Sequence, residues 1–256
     1  MDRRTFVAHA AAAAAIGAAI PQRVRAQAFT NAASERSSVV DPVPESTRLA
    51  LGLGDDPVFA PHVVAIEKKF LLGAGFIEIV TRTFSDDALA GEALVAGGLS
   101  LWTLGNSSAV SMAHSGVPLV VLGTNAVMVK GAPHTRSLFV AASEFVRSNP
   151  IATRQMVGAM LKAQRYVADP QNREAVVDLF CRQTRKDKTD VMASWDNYLF
   201  DPTFNQAFVD DMKAMADSLA AAGRIMSPKD PLDYTFSDPL AAADPTLVKV
   251  AGRFKV

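Results

Sequence analysis

Leu49-Ala50-Leu51-Gly52-Leu53-Gly54-Asp55-Asp56-Pro57-Val58-Phe59 is an apolar run followed by a glycine turn, two carboxylates and a proline. The run reads as a strand. The segment from Pro57 to Leu72 reads as a helix, because Val58, Val63, Ile66 and Phe70 recur at helical spacing and Gly73 and Gly75 can stop it. Working outward, Phe76 to Val80 is a second strand. Ser85 is a good N-cap for a helix through Ala96, which Gly97 and Gly98 end. Leu99 to Leu104 is a third strand, and Gly105-Asn106-Ser107 opens a helix to His114. Val117 to Leu122 is rich in valine, as suits a strand covered on both faces of a parallel sheet. Strands alternating with helices in this way predict an α/β, doubly wound lobe.

Beyond Thr124 the pattern changes. Lys130 to Arg136 reads as a joint, and Ser137 to Val140 is the one candidate strand after it. Asn149-Pro150 starts a helix with Met156, Val157, Met160, Leu161 and Val167 on one side. Further stripes follow at Val176 to Cys181, at Val191, Trp195 and Leu199, and at Phe208, Met212, Met215 and Leu219 before Gly223. Pro228, Pro231, Pro239 and Pro245 predict an extended tail. The expected division is an α/β lobe at 47–129, a helical C-terminal region at 130–225 and the tail at 226–256.

Residues 1–28 read as an export signal. Arg3-Arg4 is a charged start, Phe6 to Ile20 is alanine-rich and apolar, and Ala26-Gln27-Ala28 is a small-x-small cleavage site. Arg3-Arg4 before Thr5-Phe6 resembles the twin-arginine motif. Cleavage after Ala28 and a periplasmic location are the expectation, with 29–46 as a polar linker. The signal takes four Arg and one Asp with it, leaving 22 basic against 25 acidic side chains. No clustered cationic footprint for nucleic acid results, and nothing draws the chain to an anionic membrane.

Covalent chemistry has little support. His9, His62, His114 and His134 lack metal-ligand spacing, so no metal site is expected. Cys181, the single cysteine, sits on an apolar helical stripe and reads as structural. Gly52-Leu53-Gly54 matches two glycines of a dinucleotide fingerprint, but Pro57 replaces the third and two carboxylates stand where a pyrophosphate needs amides. Open α/β sheets bind ligands at the carboxyl ends of their strands. That places the candidate ligand site at Asp55, Asp56 and Phe59, at Gly105, Asn106, Ser107 and Ser108, and at Thr124 and Asn125. Asn106 or Ser107 could equally cap its own helix, Asp55 and Asp56 the helix after them, and Phe59 could be core.

Leu51 to Phe70, Ala90 to Gly98, Leu101 to Asn106 and Ser115 to Pro118, together with the helices from Ser143 to Gly223, resemble substrate-binding proteins of ABC importers. The similarity is to the nitrate, sulfonate, taurine and thiamine-precursor group. It implies a periplasmic-binding-protein type II-like lobe, a small organic or anionic solute, an ABC permease in the inner membrane as partner, no cofactor and no enzymatic activity. An enzyme of thiamine-pyrimidine precursor synthesis and a non-transport periplasmic interaction protein are the alternatives. Members of the group carry a second α/β lobe of about 100 residues. Here Val129 runs directly into Lys130-Gly131-Ala132-Pro133, so most of that lobe is expected to be missing. A homodimer could then supply the opposing wall.

Overall fold

The computed structural model describes residues 42–84 and 86–256. The export-signal reading at 1–28, most of the linker and the Ser85 cap lie outside these residues. The chain order begins with strand β1 (Arg48–Leu53), a 3-10 turn (Pro57–Phe59), helices α1 (Ala60–Glu67) and α2 (Phe70–Gly73), and strand β2 (Glu78–Thr83). Helix α3 (Asp87–Val95), strand β3 (Trp102–Gly105), helix α4 (Asn106–His114) and strand β4 (Leu119–Met128) follow. Strand β5 (Arg136–Ala142), helices α5 (Ser143–Ser148), α6 (Pro150–Ala168), α7 (Arg173–Thr184) and α8 (Lys188–Trp195), strand β6 (Tyr198–Leu199), and helices α9 (Gln206–Ala221) and α10 (Asp238–Ala243) complete it.

β1 and β2 pair in parallel, and β3-β5-β4-β6 form an antiparallel sheet. A parallel bridge from Leu51 to Leu101 joins the two, with Gly52 N–H donating to Leu101 O at 3.0 Å. The α/β expectation holds for the first three strands. It fails for β4, which is buried along most of its length but has antiparallel partners. The reason is the length of the connection. A parallel return needs a crossover of a dozen or more residues, whereas only Val129–Thr135 separate β4 from β5. The expected domain boundary at 129/130 therefore falls inside a hairpin, and β5, expected as a marginal strand, lies in the middle of the sheet.

The single helix expected over Pro57–Leu72 is interrupted. Lys69 takes a left-handed φ of 58°, which ends α1 and starts α2. Asp86 caps α3 by accepting from Leu89 N at 2.9 Å. Three of the four amphipathic stripes lie on helices that bury them, but the stripe Val191, Trp195, Leu199 breaks, because α8 ends at Trp195 and Leu199 lies exposed on β6, where it pairs with β4. α6 buries Met156, Val157, Met160, Leu161 and Val167, α7 buries Val176, Val177 and Phe180, and α9 buries Phe208, Met212 and Leu219. Cys181 is only half-buried, and burial followed by the charges of Asp178 and Asp187 pushes its thiol up, away from nucleophilic use.

The tail does not run extended over the surface. Tyr234, Phe236 and Leu240 are buried, Phe236 N–H donates to Val121 O at 2.8 Å, and α10 packs on α6. Arg165 of α6 binds Asp244. The prolines start turns instead of excluding them: Pro231, Pro239 and Pro245 each open a 3-10 or α-helical turn, where a missing N–H costs nothing. No helix among the described residues is long and apolar enough to cross a membrane.

Candidate functional site

The carboxyl ends of β1, β2 and β3 and the facing β4–β5 hairpin enclose a cleft of about 290 Å³. Its aromatic wall is set by two glycines at the end of β1, Gly52 within the strand and Gly54 just after it. A Cβ on Gly52 would lie 1.7 Å from the Trp102 ring, and one on Gly54 would lie 2.3 Å from the Phe59 ring. The two glycines that resemble half of a phosphate-binding fingerprint are thus seats for two aromatic side chains. Phe59 and Trp102 have ring centroids 5.0 Å apart, and Phe84 meets Trp102 edge-on with centroids 5.4 Å apart.

Four carboxylates line the same cleft: Asp55, Asp56, Asp86 and Asp87. Asp56 caps the Pro57 turn by accepting from Val58 N at 3.0 Å, while its other oxygen accepts from the Tyr198 hydroxyl at 2.8 Å. Burial, then the neighbouring Asp56 charge, pushes the Tyr198 phenol far up, so it stays a neutral donor. Asp87 accepts from Ser108 Oγ at 2.7 Å and from Trp102 Nε1 at 3.4 Å, which fixes the indole's rotation. Asp55, at the exposed rim, pairs with Lys186 at 2.8 Å, and the hydrogen bond from Lys186 holds its carboxyl below the usual range.

The hairpin wall contributes Met128, Thr135, Arg136 and Ser137. Arg136 has a side chain only 4% exposed and donates from Nε to Asp211 on α9 at 2.6 Å. Its buried Nη1 has no hydrogen-bond partner among the described residues. Asp211 also binds His134 Nδ1 at 2.6 Å, so one carboxylate ties both ends of Thr135 to α9.

Of the sequence-predicted residues, Asp55, Asp56, Phe59 and Gly105 line the cleft. Asn106 does not line it. It is 1% exposed, and the cap position of α4 is Gly105, with no side-chain cap. Asn106 instead donates to His134 O at 2.7 Å and accepts from Arg136 N at 3.3 Å, holding the hairpin connection. Ser107 and Ser108 face a larger, mostly apolar cavity of about 680 Å³ between α3 and α4. Thr124 and Asn125 are fully buried. A register shift between Thr124 and Ala126 takes Asn125 out of the β4–β5 ladder, and its amide donates to Val58 O at 2.6 Å, fastening the β1 loop to β4. The backbone oxygens of Thr124 and Asn125 both accept from Gln164 of α6.

Sequence reasoning missed Phe84, Asp86, Asp87, Trp102, Arg136 and Tyr198. Phe84 to Asp87 follow β2 as Asp55 and Asp56 follow β1, so the rule for strand ends could have found them. Arg136 and Tyr198 arrive from distant segments through pairing of β5 and β6 with β4, which no local pattern announces. His62 is no acid–base candidate. It is fully buried on α1 against Phe59 and Phe139, and burial pushes its pKa down to about 3. No cluster of metal-binding side chains occurs among the described residues.

This architecture, a mixed sheet with a ligand-sized cleft at its strand ends, is the fold of periplasmic substrate-binding proteins. The solved structures similar to this chain include the periplasmic nitrate-binding protein NrtA from Synechocystis PCC 6803, with a TM-score of 0.65 and 11% identity over 80% of this chain and 90% of that one. The ligand-binding component of an ABC-type import system from Staphylococcus aureus matches with a TM-score of 0.63 and 9% identity, over 78% of this chain and 99% of that one. The aliphatic sulphonate binding protein SsuA from Escherichia coli matches with a TM-score of 0.58 and 11% identity, over 73% of this chain and 91% of that one. No protein-family model and no curated protein sequence matches the chain.

Proposed function

We propose that the protein is the solute-binding component of an ABC-type importer, working in the periplasm and delivering a small molecule to an inner-membrane permease. The observation that carries this reading is the cleft itself. Asp55, Asp56, Phe59 and Gly105 meet there at the strand ends, in a fold shared with nitrate-binding, sulphonate-binding and import-system proteins. Uptake of labelled candidate solutes by intact cells, with and without the gene, is the test. Equal uptake of all of them would remove the importer reading.

Two parts of the proposal concern how the chain does this. Export follows the twin-arginine route, so replacing Arg3 and Arg4 by lysine should leave the protein in the cytoplasm. Normal export of that variant would assign it to the general secretory route. The second lobe is reduced to the short Val129–Thr135 connection, which leaves a bound solute open to water on one side. Each charge-assisted hydrogen bond lost with that wall is worth about 1.5 to 3 kcal/mol. Two or three such losses move a micromolar site to about millimolar or weaker. A monomer therefore binds weakly, and tight binding requires a second chain. Calorimetry with the solution mass measured alongside decides it, and submicromolar binding by a proven monomer would refute the missing-lobe argument.

A further inference from the structure

We infer that β2 is a dimerisation edge, to which a second copy of this chain adds its own β2 in an antiparallel register centred on Val80. Among the described residues β2 has a single sheet neighbour. It pairs with β1 along Glu78–Thr83, and its other edge pairs with no strand. Open edges of this kind are usually blunted by brevity, lysine, proline or a bulge. β6, at one end of the other sheet, is only two residues long. β2 runs for six, its register against β1 is unbroken, and it contains no lysine, proline or glycine. Ile79, Val80, Thr81 and Thr83 are β-branched, which suits a pleated strand. Ile77, just before it, is 76% exposed.

The order of residues along this edge says what it fits. Ile77-Glu78-Ile79-Val80-Thr81-Arg82-Thr83 is complementary to a reversed copy of itself. Val80 then faces the partner's Val80, Ile79 the partner's Thr81, Ile77 the partner's Thr83, and Glu78 the partner's Arg82 at both ends of the joint. Residues directly opposite in an antiparallel pair share one face with Cβ atoms about 4.5 to 5.5 Å apart, where opposite charges stabilise and like charges destabilise. Any other register loses both charge pairs. Glu78 and Arg82 are exposed, and Glu78 already accepts from Arg48 of β1 at 2.8 Å, so the partner's Arg82 would extend that row across the joint. The contact uses the same patch on both copies, so it closes as a two-fold dimer and leaves no open β2 edge for a third chain.

The pairing also fixes where the two clefts go. Phe84 and Asp87 line the cleft just beyond the carboxyl end of β2. In the dimer Thr83 and its counterpart lie six residues apart along the joint, about 20 Å at about 3.3 Å per residue. The clefts therefore open at opposite ends, and a chain that walls the cleft would have to meet it elsewhere. The dimer stands or falls independently of the importer reading.

Sedimentation equilibrium of the purified chain over a concentration series tests it. Seven residues a side make a smaller contact than the usual about 20 to 30, so a weak, concentration-dependent dimer is expected. Glu78→Arg and Arg82→Glu should each weaken it about tenfold or more, by opposing like charges at both ends. An equimolar mixture of these two variants should restore association, because the two arginines of one chain then face the two glutamates of the other. In a Cys181→Ser background, Val80→Cys should crosslink two copies on oxidation and Thr83→Cys should not, which keeps the register testable where a charge variant fails to fold. A wild-type chain still monomeric at about 1 mM would overturn the inference. So would a dimer indifferent to both charge variants, a mixture no stronger than its components, or crosslinking at position 83 as ready as at position 80.

Discussion

Trp102 lies across Gly52: a Cβ on that glycine would come 1.7 Å from Trp102 Cε3 and 2.3 Å from Cζ3. Two residues from strands β1 and β3 therefore share a space that holds one side chain. Gly52→Ala should push the indole off its place against Phe59 and Phe84 and off Asp87. The expected cost is about 1 to 3 kcal/mol of stability, as for other overpacked sites. In a Trp195→Phe background the remaining tryptophan emission should shift, because Trp102 is only 3% exposed in the native chain. An alanine variant with native emission and native stability would show that the ring is free to move aside at no cost.

His62 should set the acid limit of the fold. Its pKa falls from 6.5 to about 3 through burial alone, so between those values the unfolded chain holds a proton that the folded chain does not. The stabilisation is complete above pH 6.5 and is lost as the pH falls toward 3. At pH 5 the loss amounts to about 2 kcal/mol, at about 1.4 kcal/mol per pH unit. Urea unfolding at pH 7 and pH 5 should show that difference in the wild type and a smaller one in His62→Gln. An equal acid loss in both proteins would place the sensitivity elsewhere.

Asn106→Ala should be a stability variant before it is a binding variant. It removes the acceptor of Arg136 N–H and the donor to His134 O, where His134 holds a left-handed φ of 59°. A cost of about 1 to 3 kcal/mol follows from leaving buried partners unpaired. Solute affinity, measured well below the melting temperature, should change less than stability does. The reverse ranking would return Asn106 to direct solute contact.

Glu45 fastens the segment before β1 to the N-terminus of α6. Its two carboxylate oxygens accept from Ile151 N at 3.0 Å and Ala152 N at 2.9 Å. Burial works against its charge, yet the amides of Ala152 and Ile151 outweigh it and hold the carboxyl below the usual range. Glu45→Ala should destabilise the chain by about 0.5 to 2 kcal/mol, as loss of a helix cap does. Hydrogen exchange at Ile151 and Ala152 should quicken at the same time. Unchanged exchange at both amides would mean that water replaces the carboxylate without loss.

Much of the architecture was legible locally, because a helix or strand announces itself by the period at which it buries apolar residues. The stripes of α6, α7 and α9, the first three strands and the turn opening α4 all follow from that rule. The candidate site was half legible for the same reason. Asp55, Asp56, Phe59 and Gly105 stand at the ends of strands, and strand ends can be counted off a sequence. The sequence by itself also determined where the rings could go, since only glycine at 52 and 54 leaves room for Trp102 and Phe59. Tertiary structure decided what pairing across long separations decides. It turned β4 and β5 into an antiparallel hairpin and brought Arg136 and Tyr198 to the cleft wall. It spent Asn106 and Asn125 on holding loops together, and it returned the proline-rich tail to Val121. A buried amide or hydroxyl must find a partner wherever the chain supplies one. That partner can lie as far off as Val58 from Asn125, and no local period encodes such a distance.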